Sequence, residues 1–420
     1  DPKVVEVRLS AQKAKVTLEA GREVEMYTYN GVFPGPLLQA RAGDRVVVHF
    51  TNQLPESTTI HWHGLRISDQ MDGSPRIQAP VPAGGTFTYD FVAPEEGSFW
   101  YHPHIRANEQ VEKGLYGPIV IRSEDEPRYD AERFLLLDDI YLQGSTLAPF
   151  LEDGMEAMHG RYGNILLTNG VPFGEGLSAV VERGRMERWR IVNTANARTM
   201  ELTLKNAAFR VIGTDGGLLP APYTTSRLEL SVGQRYELEV TFENPGSVEL
   251  QMLVATSNGS GQVVETPYTV FALDVAVSGV SPRAVSWPLR TLPQRVVDET
   301  VTVELDGVND PVHGLRWQIN GQSHPTAPLF TFKKGRTVRM RLVNLAGPEH
   351  PFHLHGQFFQ VVSDSSRFSV PPGLKDTVLV PGLSTVEIEA YMDNPGRWMA
   401  HCHILEHAEL GMMAELVVEP

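Results

Sequence analysis

The chain has 420 residues, 41% hydrophobic and 21% charged, a globular mixture that excludes a disordered or collagen-like chain. At about 150 residues per domain this length allows three domains. Its 36 basic and 51 acidic side chains leave a formal charge of -15, which argues against nucleic acid as a partner and serves solubility first.

No run of about 18 apolar residues marks a membrane span. The single cysteine, Cys402, excludes a disulfide within the chain, and its neighbours His401 and His403 argue against an inert buried thiol. The start at Asp1-Pro2 is read as processed or trimmed, so targeting is not legible directly.

In chain order, short β-rich runs such as Val46-Val47-Val48, Tyr236 to Val240 and Thr385 to Ile388 alternate with Gly and Pro turn signals, the pattern of all-β sandwiches. A short helix is expected after Pro94 or Gly114, and no long one. The runs repeat three times. Asn30-Gly31, Asn169-Gly170 and Asn320-Gly321 are each followed by a glycine (Gly43, Gly184, Gly335) and then an asparagine (Asn52, Asn193, Asn344). The expected domains are residues 1–125, 126–280 and 281–420. Their boundaries are signalled by Ser123 to Pro127 and by the proline-bearing stretch with Pro282, Pro288 and Pro293.

Chance placement of 14 histidines would give about 0.5 His-x-His pairs, and the chain has four: His61/His63, His102/His104, His353/His355 and His401/His403. In the repeat alignment the pairs fall at matching places in the first and third copies. The middle copy has Leu202 and Leu204, and Gln251 and Leu253, instead. Eight histidines from the outer domains therefore suit one metal site at their interface, with the middle domain as a spacer. Successive strand residues point to opposite faces, so Cys402 and His350 are expected behind the histidine pairs, with His407 and Met412 in loop reach. A Cys, two His and a weak Met make a blue-copper electron-transfer site. Electrons would enter there, cross Cys402 and leave through His401 or His403.

The motifs His61-Trp62-His63-Gly64, Trp100-Tyr101-His102-Pro103-His104, His350-Pro351-Phe352-His353-Leu354-His355-Gly356 and His401-Cys402-His403, with His407 and Met412, resemble those of the multicopper oxidases, in particular bacterial laccases and cuprous oxidases. The resemblance spans essentially the whole chain. It implies three cupredoxin-like Greek-key β-sandwich domains and four copper ions that reduce O2 to two waters. His350, Cys402, His407 and Met412 would hold the type 1 copper, and His61 and His353 the type 2 copper. His63, His102, His104, His355, His401 and His403 would hold the type 3 pair. His407 would be the surface edge where electrons enter.

The resemblance also implies a monomer exported to the periplasm or outside the cell. Its donors would be phenols, aromatic amines, Cu(I) or Fe(II). Two alternatives stay open: a dedicated cuprous oxidase, and a copper-storage protein without turnover. Asp72 is read equally as a proton relay and as a turn residue. Where many bacterial relatives carry an acid after the second type 1 histidine, this chain has Ala408, and Glu406 and Glu409 are expected to be solvated loop acids. Met155, Met158 and His159 are expected to form a packed loop. Asp306, Asp310 and His313 form a candidate secondary metal-donor site, with a polar hairpin as the favoured reading.

Overall fold

A computed structural model describes residues 2–19, 21–152, 154–175, 179–257, 262–281, 285–288, 290–292, 294–363 and 372–420. Pro282 and Pro293 of the second boundary signal lie outside them. The fold is three β-sandwich domains that follow one another along the chain. The first packs a four-stranded sheet (Val4–Glu19, Arg22–Tyr29, Arg45–Asn52, Thr86–Val92) on another (Leu38–Arg41, His61–His63, Gly97–His102, Gly117–Arg122). The middle domain packs a seven-stranded on a five-stranded sheet between Ala131–Ile140 and Val263–Gly279. The third packs two five-stranded sheets between Glu299–Asp310 and Met413–Glu419. Each has its own apolar core, around Trp62, Trp189 and Trp398 respectively.

The sequence repeat has a physical cause. In each domain the opening strand runs parallel to the strand that ends in the repeated asparagine, pairing Ala11 with Asn52, Leu137 with Asn193 and Leu305 with Asn344. Those asparagines clip the strand end alike. Each Oδ1 accepts from the N–H two residues on, at 3.0, 3.1 and 2.9 Å, and each Nδ2 donates to loop carbonyls. The Asn-Gly turns hold both residues at positive φ, which Asn and Gly tolerate best. Asn30, Asn169 and Asn320 each accept from a strand N–H, at 2.7, 2.9 and 2.7 Å.

Among the described residues three short α-helices interrupt the strands: α1 (Ala107–Glu112), α2 (Gly154–His159) and α3 (Leu405–Glu409). The first lies before Gly114 rather than after it. Gly114 is at φ +109 and donates to the Val111 carbonyl, so it ends that helix. No helix of the described residues is long and apolar enough to cross a membrane.

Candidate metal centre

The strand His61–His63 pairs with Gly97–His102, placing His61 opposite His102. In the third domain His350–Leu354 pairs with Gly396–Cys402, placing His353 opposite His401 and Phe352 opposite Cys402. Side-chain alternation then sorts the residues. The histidine pairs face the gap between the outer domains, while His350 and Cys402 face the third domain's own core.

The gap gathers His61, His63, His102, His104, His353, His355, His401 and His403, all buried. His61 stacks on His355 at 3.9 Å between ring centroids, and His63 on His353 at 3.8 Å, so each stack joins the first domain to the third. Their nitrogens form overlapping ligand groups within 4.8 Å, among them His63/His102/His403, His353/His355/His401, His61/His104/His355 and His61/His63/His353. Behind Cys402, its Sγ lies 3.5 Å from His350 Nδ1 and 3.7 Å from His407 Nδ1, and the two Nδ1 atoms are 3.1 Å apart. Met412 is buried alongside, its carbonyl accepting from the Cys402 N–H and its own N–H donating to the His407 carbonyl.

The donor set fits metal ions. The Nε2 atoms of His61, His102, His104 and His353 are buried without a hydrogen-bond partner among the described residues, a costly state that bound cations relieve. Burial drives His63, His102, His104, His401, His403 and His407 well below the ordinary imidazole range and takes His350 and His355 down to about 3. Neutral imidazole is the ligating form. Burial pushes the Cys402 thiol well up, so loading a metal there displaces its proton. A thiolate with imidazoles selects copper over harder cations.

Outer partners aim the rings. Asp72 accepts from His61 Nδ1 through its carbonyl at 2.8 Å and from His355 Nδ1 through Oδ2 at 2.9 Å. It also closes the turn at Gly73, where any side chain would strike Ile60, so Asp72 is both turn residue and cluster neighbour. Asp376, which motif reasoning missed, accepts from His353 Nδ1 through its carbonyl at 2.9 Å and from His63 Nε2 through Oδ1 at 3.2 Å. The middle domain adds no histidine to these groups, yet it does more than space the outer two. Arg235 binds both oxygens of Asp376, at 2.7 and 2.6 Å, and Gly233 lies against the His403 and His63 rings.

Several expectations need correcting. His407 does not reach the surface: it is fully buried, and its Nε2–H donates to the Met158 carbonyl of α2 at 3.1 Å. Met155, Met158 and His159 are not a packed loop. They sit on α2 with Met155 63% and Met158 43% exposed, and only Ala157 of that helix is buried. Trp317 anchors α2, donating to the Ala157 carbonyl at 2.9 Å while its ring lies 4.3 Å from His407.

Glu406 is fully buried rather than solvated. It accepts from Asn196 Nδ2 and the Arg161 N–H, and burial pushes it up to about 7; Glu409 is exposed. Asp306, Asp310 and His313 form no ligand group among the described residues. Asp310 Oδ1 caps the Val312 and His313 N–H groups and Asp306 Oδ1 the Gly307 N–H, so these carboxylates serve the hairpin.

Models of the multicopper oxidase family match residues 10–126, 132–276 and 296–420. The chain is 30% identical to the multicopper oxidase mco of Staphylococcus aureus, covering 98% of this chain and 88% of that protein. It superposes on a crystal structure of a multi-copper oxidase from Pseudomonas Thermotolerans with a TM-score of 0.86 at 30% identity, over 100% of both chains. A multicopper oxidase from Campylobacter jejuni, described as a metallo-oxidase, gives 0.85 at 26% identity over 99% and 92%. With both outer domains supplying paired histidines and the third its lone cysteine, the chain belongs to the multicopper oxidases, laccase-like enzymes of cupredoxin fold that use copper.

Proposed function

We propose that the protein is a laccase-like oxidase that takes single electrons near His407 and passes them through Cys402 to the histidine cluster, where O2 becomes two waters. One observation carries this reading. Cys402 Sγ belongs to the His350/His407 group, while the residues peptide-bonded to Cys402, His401 and His403, belong to the cluster. A storage protein has no use for that link. In this reading His350, Cys402 and His407, with Met412, hold the type 1 copper. His61 and His353 hold the type 2 copper. His63/His102/His403 and His104/His355/His401 hold the type 3 pair. Copper ions so held supply one-electron storage at the thiolate and four-electron O2 chemistry at the cluster.

The chain's own residues do the rest. Asp72 orients His61 and His355, and in this reading its carboxylate relays the protons that O2 reduction consumes. Trp317 and α2 exclude water from His407. The thioethers of Met155 and Met158, exposed on the helix covering His407, favour a low-valent soft metal ion such as Cu(I) over a phenol or aromatic amine, since thioether sulfur prefers soft ions. We take the protein to work as an exported monomer.

Oxygen uptake by the copper-loaded protein, with Cu(I) and a methoxyphenol compared at matched concentration, tests this. One O2 consumed per four electrons establishes the oxidase, and a higher kcat/KM for Cu(I) establishes the metal preference. No uptake with copper intact leaves storage as the function.

A further inference from the structure

We propose that Arg235, from the middle domain, is a positioning residue for the histidine cluster: by holding both carboxylate oxygens of Asp376 it fixes which ring nitrogen of His63 faces the cluster interior. The proposal rests on the copper reading of that site.

The rings set the problem. His61, His102, His353, His355 and His401 each turn Nδ1 outward, to the Asp72 carbonyl, the Pro103 carbonyl, the Asp376 carbonyl, Asp72 Oδ2 and the Cys402 carbonyl. His63 is reversed. Its Nε2 points outward, 3.2 Å from Asp376 Oδ1 and 3.3 Å from Thr377 Oγ1, and its Nδ1 points inward, 3.2 Å from His403 Nε2. The proton on one ring nitrogen dictates that the other is the ligand. Asp376 therefore requires His63 to ligate through Nδ1 and His353 through Nε2.

Arg235 holds Asp376 in place from the other side. Its guanidinium is fully buried, and each of its five N–H donors has an acceptor. Nε donates to the Ser98 carbonyl of the first domain at 3.0 Å. Nη1 donates to the Gly233 carbonyl at 3.3 Å and to Asp376 Oδ1 at 2.7 Å. Nη2 donates to the Asp215 carbonyl at 2.9 Å and to Asp376 Oδ2 at 2.6 Å. One side chain thus ties all three domains to the wall behind His63. A lysine carries its donors at a single point and cannot span these acceptors.

The surroundings are shaped for the clamp. A Cβ at Gly64, directly after His63, would strike Arg235 Nη2 and Asp376 Oδ2. A Cβ at Gly233 would lie 3.0 Å from His403 and 3.1 Å from His63. The repeat marks Arg235 as a departure. It stands opposite Val192, before Asn193, where the outer domains place Thr86 opposite Thr51 and Thr385 opposite Val343.

The test is Arg235→Lys in the full chain, stripped and reloaded with copper. Cluster copper affinity against a chelator should fall measurably, up to the about 10- to 100-fold that follows loss of an outer partner of a metal-bound histidine. The electron paramagnetic resonance signal of the cluster should change, while the thiolate–copper absorption of Cys402 stays. A merely structural role would lower both sites together with thermal stability. A folded variant with wild-type cluster affinity and signal overturns the proposal. If the variant does not fold, nitrogen NMR of histidine-labelled wild-type apoprotein decides: a proton on His63 Nε2 supports the proposal, and one on Nδ1 overturns it. Failure of the copper reading would show separately, as a wild-type cluster that takes up no copper.

Discussion

The Cys402 group and the histidine cluster share two strands, His350–Leu354 and Gly396–Cys402, but they are built differently. The Cys402 group draws His350, Cys402 and His407 from one domain and lies against that domain's own core. The cluster takes four histidines from each outer domain and has its rear wall set by Arg235 and Gly233 of the middle one. Strand alternation alone sets His350 beside Cys402 inside one sandwich, with His407 added from the helix that follows. A site between sandwiches exists only when the domains dock, so residues that touch no metal can decide its geometry.

The strongest test of that division is Cys402→Ser. Oxygen uptake should fall to background and the thiolate–copper absorption should vanish, while the cluster still binds copper by metal analysis. Loss of cluster copper as well would mean that the two sites are not separable.

Next in size is acid sensitivity of the apoprotein, which both sites should share. His350, on the cysteine side, and His355, in the cluster, are each pushed down to about 3 by burial. Between pH 6.5 and 3 the unfolded chain then binds more protons than the folded one, so stability rises with pH. It is lost as pH falls from about 6.5, by about 1 kcal/mol per pH unit per histidine. Urea unfolding of the metal-free chain from pH 7.5 to 4 should show the midpoint falling steadily; a flat profile would contradict neutral burial of these rings.

Smaller is Asp72→Asn, which keeps shape and the backbone bond to His61 but removes the carboxylate beside His355. Reoxidation of the reduced protein by O2 should slow by about 100-fold, the scale of one positioned acid–base group. Reduction at the Cys402 side should be unchanged. Equal slowing of both phases in stopped flow would place the effect in the fold rather than at the cluster.

Much of the candidate site was legible because its signals are local. His-x-His on a strand puts both rings on one face, so four pairs in two matching repeats indicate one shared site. The separate placement of His350 with Cys402 needs only alternation, and their sulfur–nitrogen distance of 3.5 Å agrees with it. The helix over the cysteine side was not legible. Met155 and Met158 read as packing residues until the buried Ala157, turned towards Trp317, left them outside. Glu406 read as a loop acid because its partners, Asn196 and Arg161, come from another domain. Arg235 did leave a trace, as the arginine in a repeat position that holds threonine in both outer copies, but a bare cation carries no message without its partner.

The sequence by itself determined the all-β class, the threefold repeat, the paired histidines and the chemistry of the lone cysteine. Each of these is set by short-range periodicity, turn residues and donor type. Only the tertiary structure decided that His407 is covered, that Asp72 faces two histidines, and that Arg235 reaches across to Asp376. Those facts depend on how three separately cored sandwiches dock, and Arg235 and Asp376 are 141 residues apart in the chain.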